Sequence, residues 1–301
     1  MSGQRERIAA IDVGSNTVLL TVAEYDPETG LVVIEEGEDQ PRLGAGLSAT
    51  GQLSEEAIRR ALKTLTTMRD VCRRHGVRRI AAVATAAVRE AGNGAAFVKR
   101  VRALDIPLRI ISPETEAALS YRSAAHHFPG GERQLVADIG GGSLELIGAT
   151  NGRVKLSQSL PLGAVRLTEL GLPMGKLRDH IWRGLSGPIQ LAEWAGSTVI
   201  GSGGTFATLA AMDLARRGSP GQPVHGTMVT VEEVEQLLGT LATLSAAQRR
   251  ETPGLRPERA DIIVAGLAVV AELLKAVGSR GVTVSGFGLR DGLLLEMVGL
   301  E

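Results

Sequence analysis

One stretch occurs twice in the chain. Ile11-Asp12-Val13-Gly14, followed by Thr17, aligns with Ala137-Asp138-Ile139-Gly140, followed by Ser143, 126 residues further on (12 against 138). Around the second copy an apolar run, Leu135 to Ile139, enters a triple glycine and an alternating stretch, Leu144 to Ile147, leaves it. That spelling predicts strand, tight turn, strand. A repeat at this distance predicts two copies of one structural unit. Glycines 140 to 142 remove every β-carbon from the turn, so a ligand can come close to the backbone. Successive N–H groups in such a turn form a nest for an anion. Asp138 ends the first strand and Glu145 lies on the second. Two carboxylates beside an anion nest repel the anion unless a cation joins them, and Mg²⁺ bridging carboxylate and phosphate oxygens resolves the conflict. A plain glycine hairpin with two solvated acids has the same spelling and is the competing reading.

With 301 residues, the chain suits two domains better than one core. Its formal net charge is zero, which argues against bulk attraction to nucleic acid or to an anionic membrane. An anionic substrate must therefore be held by local cations and backbone donors. Arginine far outnumbers lysine, which favours bidentate phosphate contacts. Cys72 is the single cysteine, so no internal disulfide forms and a reducing, cytoplasmic setting is expected. It sits on the Leu65, Met68, Val71 stripe and reads as a core filler. No signal-peptide pattern or membrane-length apolar run is expected to direct the chain elsewhere.

Strands are expected at 8–13, 18–23 and 31–34, with a glycine-rich loop over 42–51. Ser54 caps a long amphipathic helix whose buried stripe is Ile58, Leu62, Leu65, Met68 and Val71. A strand over 78–85 ends in Thr85-Ala86-Ala87-Val88-Arg89, and a helix follows over 95–104. After a strand at 108–111, Ser112 and Pro113 begin a helix that runs to His126 or His127. The His126–His127 pair reads as a solvated helix end, and Phe128 to Glu132 as the joint between domains. Beyond the central hairpin come a strand at 153–160, a turn into a helix at 161–169, and a helix over 178–194. A strand at 197–200 runs into Gly201-Ser202-Gly203-Gly204-Thr205 and a helix, an order that offers amides and a helix N-terminus to phosphate. Helices over 231–243 and 260–277 flank a loop at 249–259. A strand at 282–285 then turns into a last helix.

Taken together, Ile11 to Thr17, Thr85 to Arg89, Ile111 to Ala117, Asp138 to Glu145, Gly201 to Thr205 and Gly288 to Gly292 resemble the Ppx/GppA phosphatases, the exopolyphosphatases and guanosine pentaphosphate phosphohydrolases. The resemblance spans residues 8–298 and looks like that of a short, two-domain member. It implies an α/β fold with two actin-like ATPase (ribonuclease H-like) domains facing each other across a cleft. The expected domains are 1–127 and 128–301, with the final helix, 291–301, free to pack back on the first.

The resemblance also implies the chemistry. Glu116 matches the family's catalytic glutamate and is the candidate general base, with Arg89 as the cation for the terminal phosphate and Asp138 as a catalytic Mg²⁺ ligand. An ordinary first-turn glutamate is the competing reading for Glu116, and a surface arginine for Arg89. Glu145 and Asp12 would assist at the metal, although Asp12 also reads as a turn-capping aspartate. Phosphates would be held by Gly14, Ser15, Asn16 and Thr17, by Gly140, Gly141, Gly142 and Ser143, and by Gly203, Gly204 and Thr205; Arg166 is a weaker candidate. The expected activity is removal of the terminal phosphate of inorganic polyphosphate. Guanosine pentaphosphate hydrolysis and a non-catalytic phosphate or nucleotide sensor are the alternatives. Family analogy adds a homodimer.

Overall fold

The computed structural model describes residues 5–187 and 190–300. It divides into two compact units, one of residues up to Ser123 together with the segment from Leu289, the other from Ala124 to Gly288. The expected joint at 128–132 thus lies inside the second unit.

In the first unit the order is β1 (Glu6–Val13), β2 (Val18–Asp26), β3 (Gly30–Asp39), α1 (Leu47–Thr50), α2 (Glu55–Arg74), β4 (Arg79–Ala84), α3 (Ala86–Glu90), α4 (Gly94–Arg102), β5 (Leu108–Ile110) and α5 (Pro113–His127), whose residues from Ala124 onward belong to the second unit. Its sheet has the order β3-β2-β1-β4-β5. β1 to β3 form an antiparallel meander, whereas β1, β4 and β5 run parallel. The amphipathic reading of α2 holds. Ser54 Oγ accepts the Ala57 N–H, Glu55 and Glu56 lie in the first turn, Arg73 and Arg74 in the last, and Ile58, Leu65 and Met68 are buried. Cys72 is buried with them.

In the second unit follow β6 (Arg133–Ile139), β7 (Leu144–Thr150), β8 (Arg153–Leu160), α6 (Ala164–Glu169), α7 (Met174–Ser186), β9 (Thr198–Ser202), α8 (Gly204–Arg216), β10 (Met228–Thr230), α9 (Val231–Ala242), α10 (Ala246–Arg249), α11 (Ile263–Val277) and β11 (Gly281–Val284). The strand order is β10-β11-β9-β6-β7-β8. Read from its other edge, this sheet repeats the first one, with β8, β7, β6, β9 and β11 in place of β3, β2, β1, β4 and β5. β10 is an added antiparallel edge. Helix α12 (Leu289–Met297) belongs to the first unit, where Leu289, Leu293 and Leu294 pack on Ile8, Ala10, Val83 and Leu119.

Several expectations need correction. The helix expected over 178–194 stops at Ser186, and Leu191–Trp194 is a separate 3-10 turn. Pro188 falls in the interval, and a proline lacks the N–H that a helix interior needs; its own placement lies outside the described residues. The loop expected at 249–259 begins in the end of α10 and closes in a 3-10 turn, Pro257–Arg259. Residues 86–90 form a helical turn because the Val88 and Arg89 N–H groups both donate to the Thr85 carbonyl. Helix α11 is apolar on every face and buried, as such a helix must be. Of its two charged residues Lys275 is exposed in the last turn, while the buried Glu272 accepts from Arg178 Nε at 2.6 Å and the other arms of Arg178 hold Glu235.

Candidate active site

The two glycine turns are built alike. In the second unit Gly140 N–H donates to Ser143 O at 3.0 Å; in the first, Gly14 N–H donates to Thr17 O at 3.0 Å. Each turn leaves the C-terminal end of a central strand, the edge where open α/β sheets bind ligands.

Helix α6 orients the second turn. Ala164 N–H donates to Gly140 O, and the Val165 and Arg166 N–H groups both donate to Gly141 O. Arg166 Nε donates to Gly142 O at 2.9 Å. Three successive carbonyls are therefore drawn towards α6. In a trans peptide the N–H points opposite to the C=O, so the N–H groups of Gly141, Gly142 and Ser143 all aim away from α6. That is an anion nest with its direction set. The first unit does the same with two peptides: Gly44 N–H holds Ser15 O and Arg42 N–H holds Asn16 O, which turns out the amides of Asn16 and Thr17. The side chain of Asn16 donates to Gln40 instead of pointing outward, and Ser15, Asn16 and Thr17 are all buried.

Asp138 and Glu145 are directly opposed in the β6–β7 ladder and so share one face of the sheet. Asp138 Oδ2 accepts from Ser202 Oγ at 2.8 Å, and Glu145 Oε1 accepts from Ser159 Oγ at 2.8 Å. Glu145 is 2% exposed. At the same register of the first unit Asp12 is opposed by Leu19, so that turn carries one carboxylate where the other carries two. Among the described residues no group of three or more His, Cys, Asp or Glu side chains is placed to hold a metal. A dedicated cage is therefore lacking, but two hard oxygen donors beside a phosphate nest fit Mg²⁺. That ion uses one or two carboxylates and completes its shell with water and phosphate oxygens.

Loop 201–205 adjoins Asp138. Gly203 has φ +88, and a Cβ there would lie 2.6 Å from Asp138 Oδ1. Gly204 begins α8 against the guanidinium of the buried Arg259, which occupies the space a Cβ would fill. Thr205 is 2% exposed and turned towards Gly266 of α11, which leaves its main-chain N–H, in the open first turn of α8, as the group it can offer a phosphate.

In the first unit α3 follows β4 and α5 follows β5, both at the C-terminal ends of strands. Arg89 Nη1 donates to Glu116 Oε2 at 3.0 Å and to Ile111 O at 3.0 Å. Glu116 is 8% exposed; it is no solvated first-turn acid. Glu114, fully exposed, behaves as one. A hydrogen bond from Ser112, then its own backbone N–H and the Arg89 charge, hold its carboxyl below the usual range.

Three features went unread in the sequence. Gly163 lies so close to the turn that a Cβ there would strike Gly142 C, Gly141 O and Ser143 N. Arg259 is a buried cation in what read as a loop. The histidine pair is not simply solvated: His127 stacks on Phe287 at 3.8 Å, with His225 edge-on to both and Phe128 tilted against His225. Phe287 precedes Gly288, where a Cβ would lie 3.7 Å from Asp138 Oδ2.

The Ppx/GppA phosphatase family model matches residues 21–301. The chain belongs to the Ppx/GppA phosphatase family. Exopolyphosphatase 1 of Mycobacterium leprae is 29% identical over 307 aligned positions, which cover 98% of this chain and 90% of that protein. The crystal structure of the Aquifex aeolicus Ppx/GppA family member matches with a TM-score of 0.81 at 29% identity and 98% coverage of both chains. That of an exopolyphosphatase from Cytophaga hutchinsonii matches with a TM-score of 0.91 at 26% identity, over 98% of this chain and 99% of that one. The α/β fold of the chain is thus that of solved members of this family. No helix among the described residues is long and apolar enough to cross a membrane.

Proposed function

We propose that this family member is an exopolyphosphatase that removes the terminal phosphate of inorganic polyphosphate. The observation that carries the reading is the outward row of Gly141, Gly142 and Ser143 amides beside the Asp138–Glu145 pair. Donors fixed before the substrate arrives need no reorganisation when charge develops on a phosphoryl group. Asp138, with Glu145 behind it, would hold Mg²⁺, which when bound neutralises phosphate charge.

Glu116 takes a proton from the attacking water. As the new O–P bond forms, the bridging P–O bond breaks, and the shortened chain leaves as the anion while orthophosphate is released. Arg89 fixes the Glu116 carboxylate through Nη1 and keeps its Nε and Nη2 hydrogens for a phosphoryl oxygen. Gly203 and Gly204, at the start of α8, receive phosphates further along the chain.

Replacing Glu116 with Gln keeps the shape and removes the base. Phosphate release from tripolyphosphate with Mg²⁺ should fall by about 100-fold or more. Near-normal release would refute the assignment.

Guanosine pentaphosphate as substrate has one observation in its favour, the ring cluster of Phe287, His127 and His225 next to Gly288. A higher kcat/KM on that nucleotide than on tripolyphosphate would select it. A sensor would bind either ligand without turnover.

A further inference from the structure

Of the three carbonyls drawn towards α6, two are held by main-chain amides. Gly140 O and Gly141 O accept from residues 164 to 166, and these bonds persist as long as the helix does. The third, Gly142 O, accepts from Nε of the Arg166 side chain at 2.9 Å. In the first unit the corresponding carbonyl, Asn16 O, is held at 3.0 Å by the main-chain N–H of Arg42. The duplicated turn thus does with a side chain in one unit what it does with backbone in the other.

The consequence is specific to one peptide. Glycine crosses its φ/ψ basins readily, so the Gly142–Ser143 peptide, released from Arg166, loses the hydrogen bond that fixes its rotation. A rotated peptide would turn its carbonyl oxygen to the phosphate side in place of the Ser143 N–H. An attractive donor would become a repulsive dipole facing an anion.

We propose that Arg166 is a positioning residue: by holding the Gly142 carbonyl it keeps the Ser143 N–H aimed at the phosphate. This rests on the phosphatase reading given above for the choice of substrate, but not for the geometry it tests.

The covalent layout of the side chains supplies the discriminating variants. Arginine Nε and glutamine Nε2 are both bonded to Cδ, so Arg166→Gln puts an N–H donor at the same place without the charge. Arg166→Lys keeps the charge but has a methylene there. Arg166→Met has neither. Steady-state hydrolysis of tripolyphosphate with Mg²⁺ should show KM raised by about tenfold or more in Arg166→Met and in Arg166→Lys. Arg166→Gln should stay within about threefold of the parent, since it keeps the hydrogen bond. The opposite order, with Lys restoring function and Gln not, would show direct charge contact with phosphate and overturn the proposal.

A second readout needs no turnover. In Glu116→Gln protein labelled with ¹⁵N, added tripolyphosphate should move the amide signals of Gly141, Gly142 and Ser143. Adding Arg166→Met should abolish the Ser143 response while those of Gly141 and Gly142 remain. An unresponsive Ser143 amide in the Arg166 protein would also overturn the proposal. If the parent protein releases no phosphate, the hydrolase reading fails, yet the amide shifts still decide the role of Arg166. If Arg166→Met does not fold, the Gln and Lys pair decides it.

Discussion

Gly163→Ala separates the aim of the turn from the stability of the fold. Gly163 has φ −74 and ψ 150, extended backbone that alanine adopts without strain. By backbone entropy alone the change would stabilise the protein by about 0.4–1 kcal/mol. The new methyl has nowhere to go, because the three atoms it meets, Gly142 C, Gly141 O and Ser143 N, are backbone atoms that cannot swing aside. Ordinary contact begins at 3.4 Å, and the methyl falls short of it by roughly 1 Å, so α6 and the turn must separate by about that much; a displacement of that size at a reacting centre costs about 100-fold in rate. Phosphate release from tripolyphosphate with Mg²⁺ measures kcat/KM, and a circular dichroism melt reports whether the fold survives. Gly175→Ala in α7 is the control. A Cβ there meets nothing within 4 Å, so activity should hold and stability should rise by about 0.5–1 kcal/mol. A folded Gly163→Ala protein with kcat/KM within a factor of about two of the parent would refute the reasoning, since the turn would then tolerate the shift.

Arg178→Met should destabilise the second unit by about 3–5 kcal/mol, because it leaves Glu272 charged and buried in α11; chemical denaturation measures it, and adding Glu272→Leu should recover much of the loss. The same arginine, by its hydrogen bonds, holds the Glu235 carboxyl below its ordinary range. A depressed folded value stabilises above pH 4.5 and is lost as pH falls through the lower folded value, so the melting temperature of the parent should drop on that acid limb more steeply than that of Arg178→Met. Burial pushes the Cys72 thiol up to about 11. A thiol-specific disulfide reagent at neutral pH should therefore label native protein far more slowly than protein in guanidinium, and rapid native labelling would contradict the buried placement.

Local spelling revealed the hairpins because strand alternation and a glycine turn are written in adjacent residues. The same holds for α2, whose cap, charge bias and stripe all lie within one segment. β10 was missed for the opposite reason. Three residues, Met228 to Thr230, are too few for a periodic signal, and the strand exists because β11 offers it an edge. The helix expected through 194 shows that local reading overran Pro188, a breaker in plain view. At the candidate site, Glu116 and Asp138 stand out in the sequence through the motifs around them. Arg259, Gly163 and the role of Arg166 were not, because each is defined by a neighbour distant in sequence: Gly204, the 140–143 turn and the Gly142 carbonyl.

From its residues alone the chain determined two copies of one α/β hairpin unit, one turn without β-carbons, and the carboxylates set beside the turns. Only the tertiary structure decided which way those turns face. A turn peptide outside the strand ladder takes its direction from whatever holds its carbonyl, most of all where glycine has no side chain to bias the rotation; here that is α6 with Arg166 on the glycine turn and the 42–44 segment on the other.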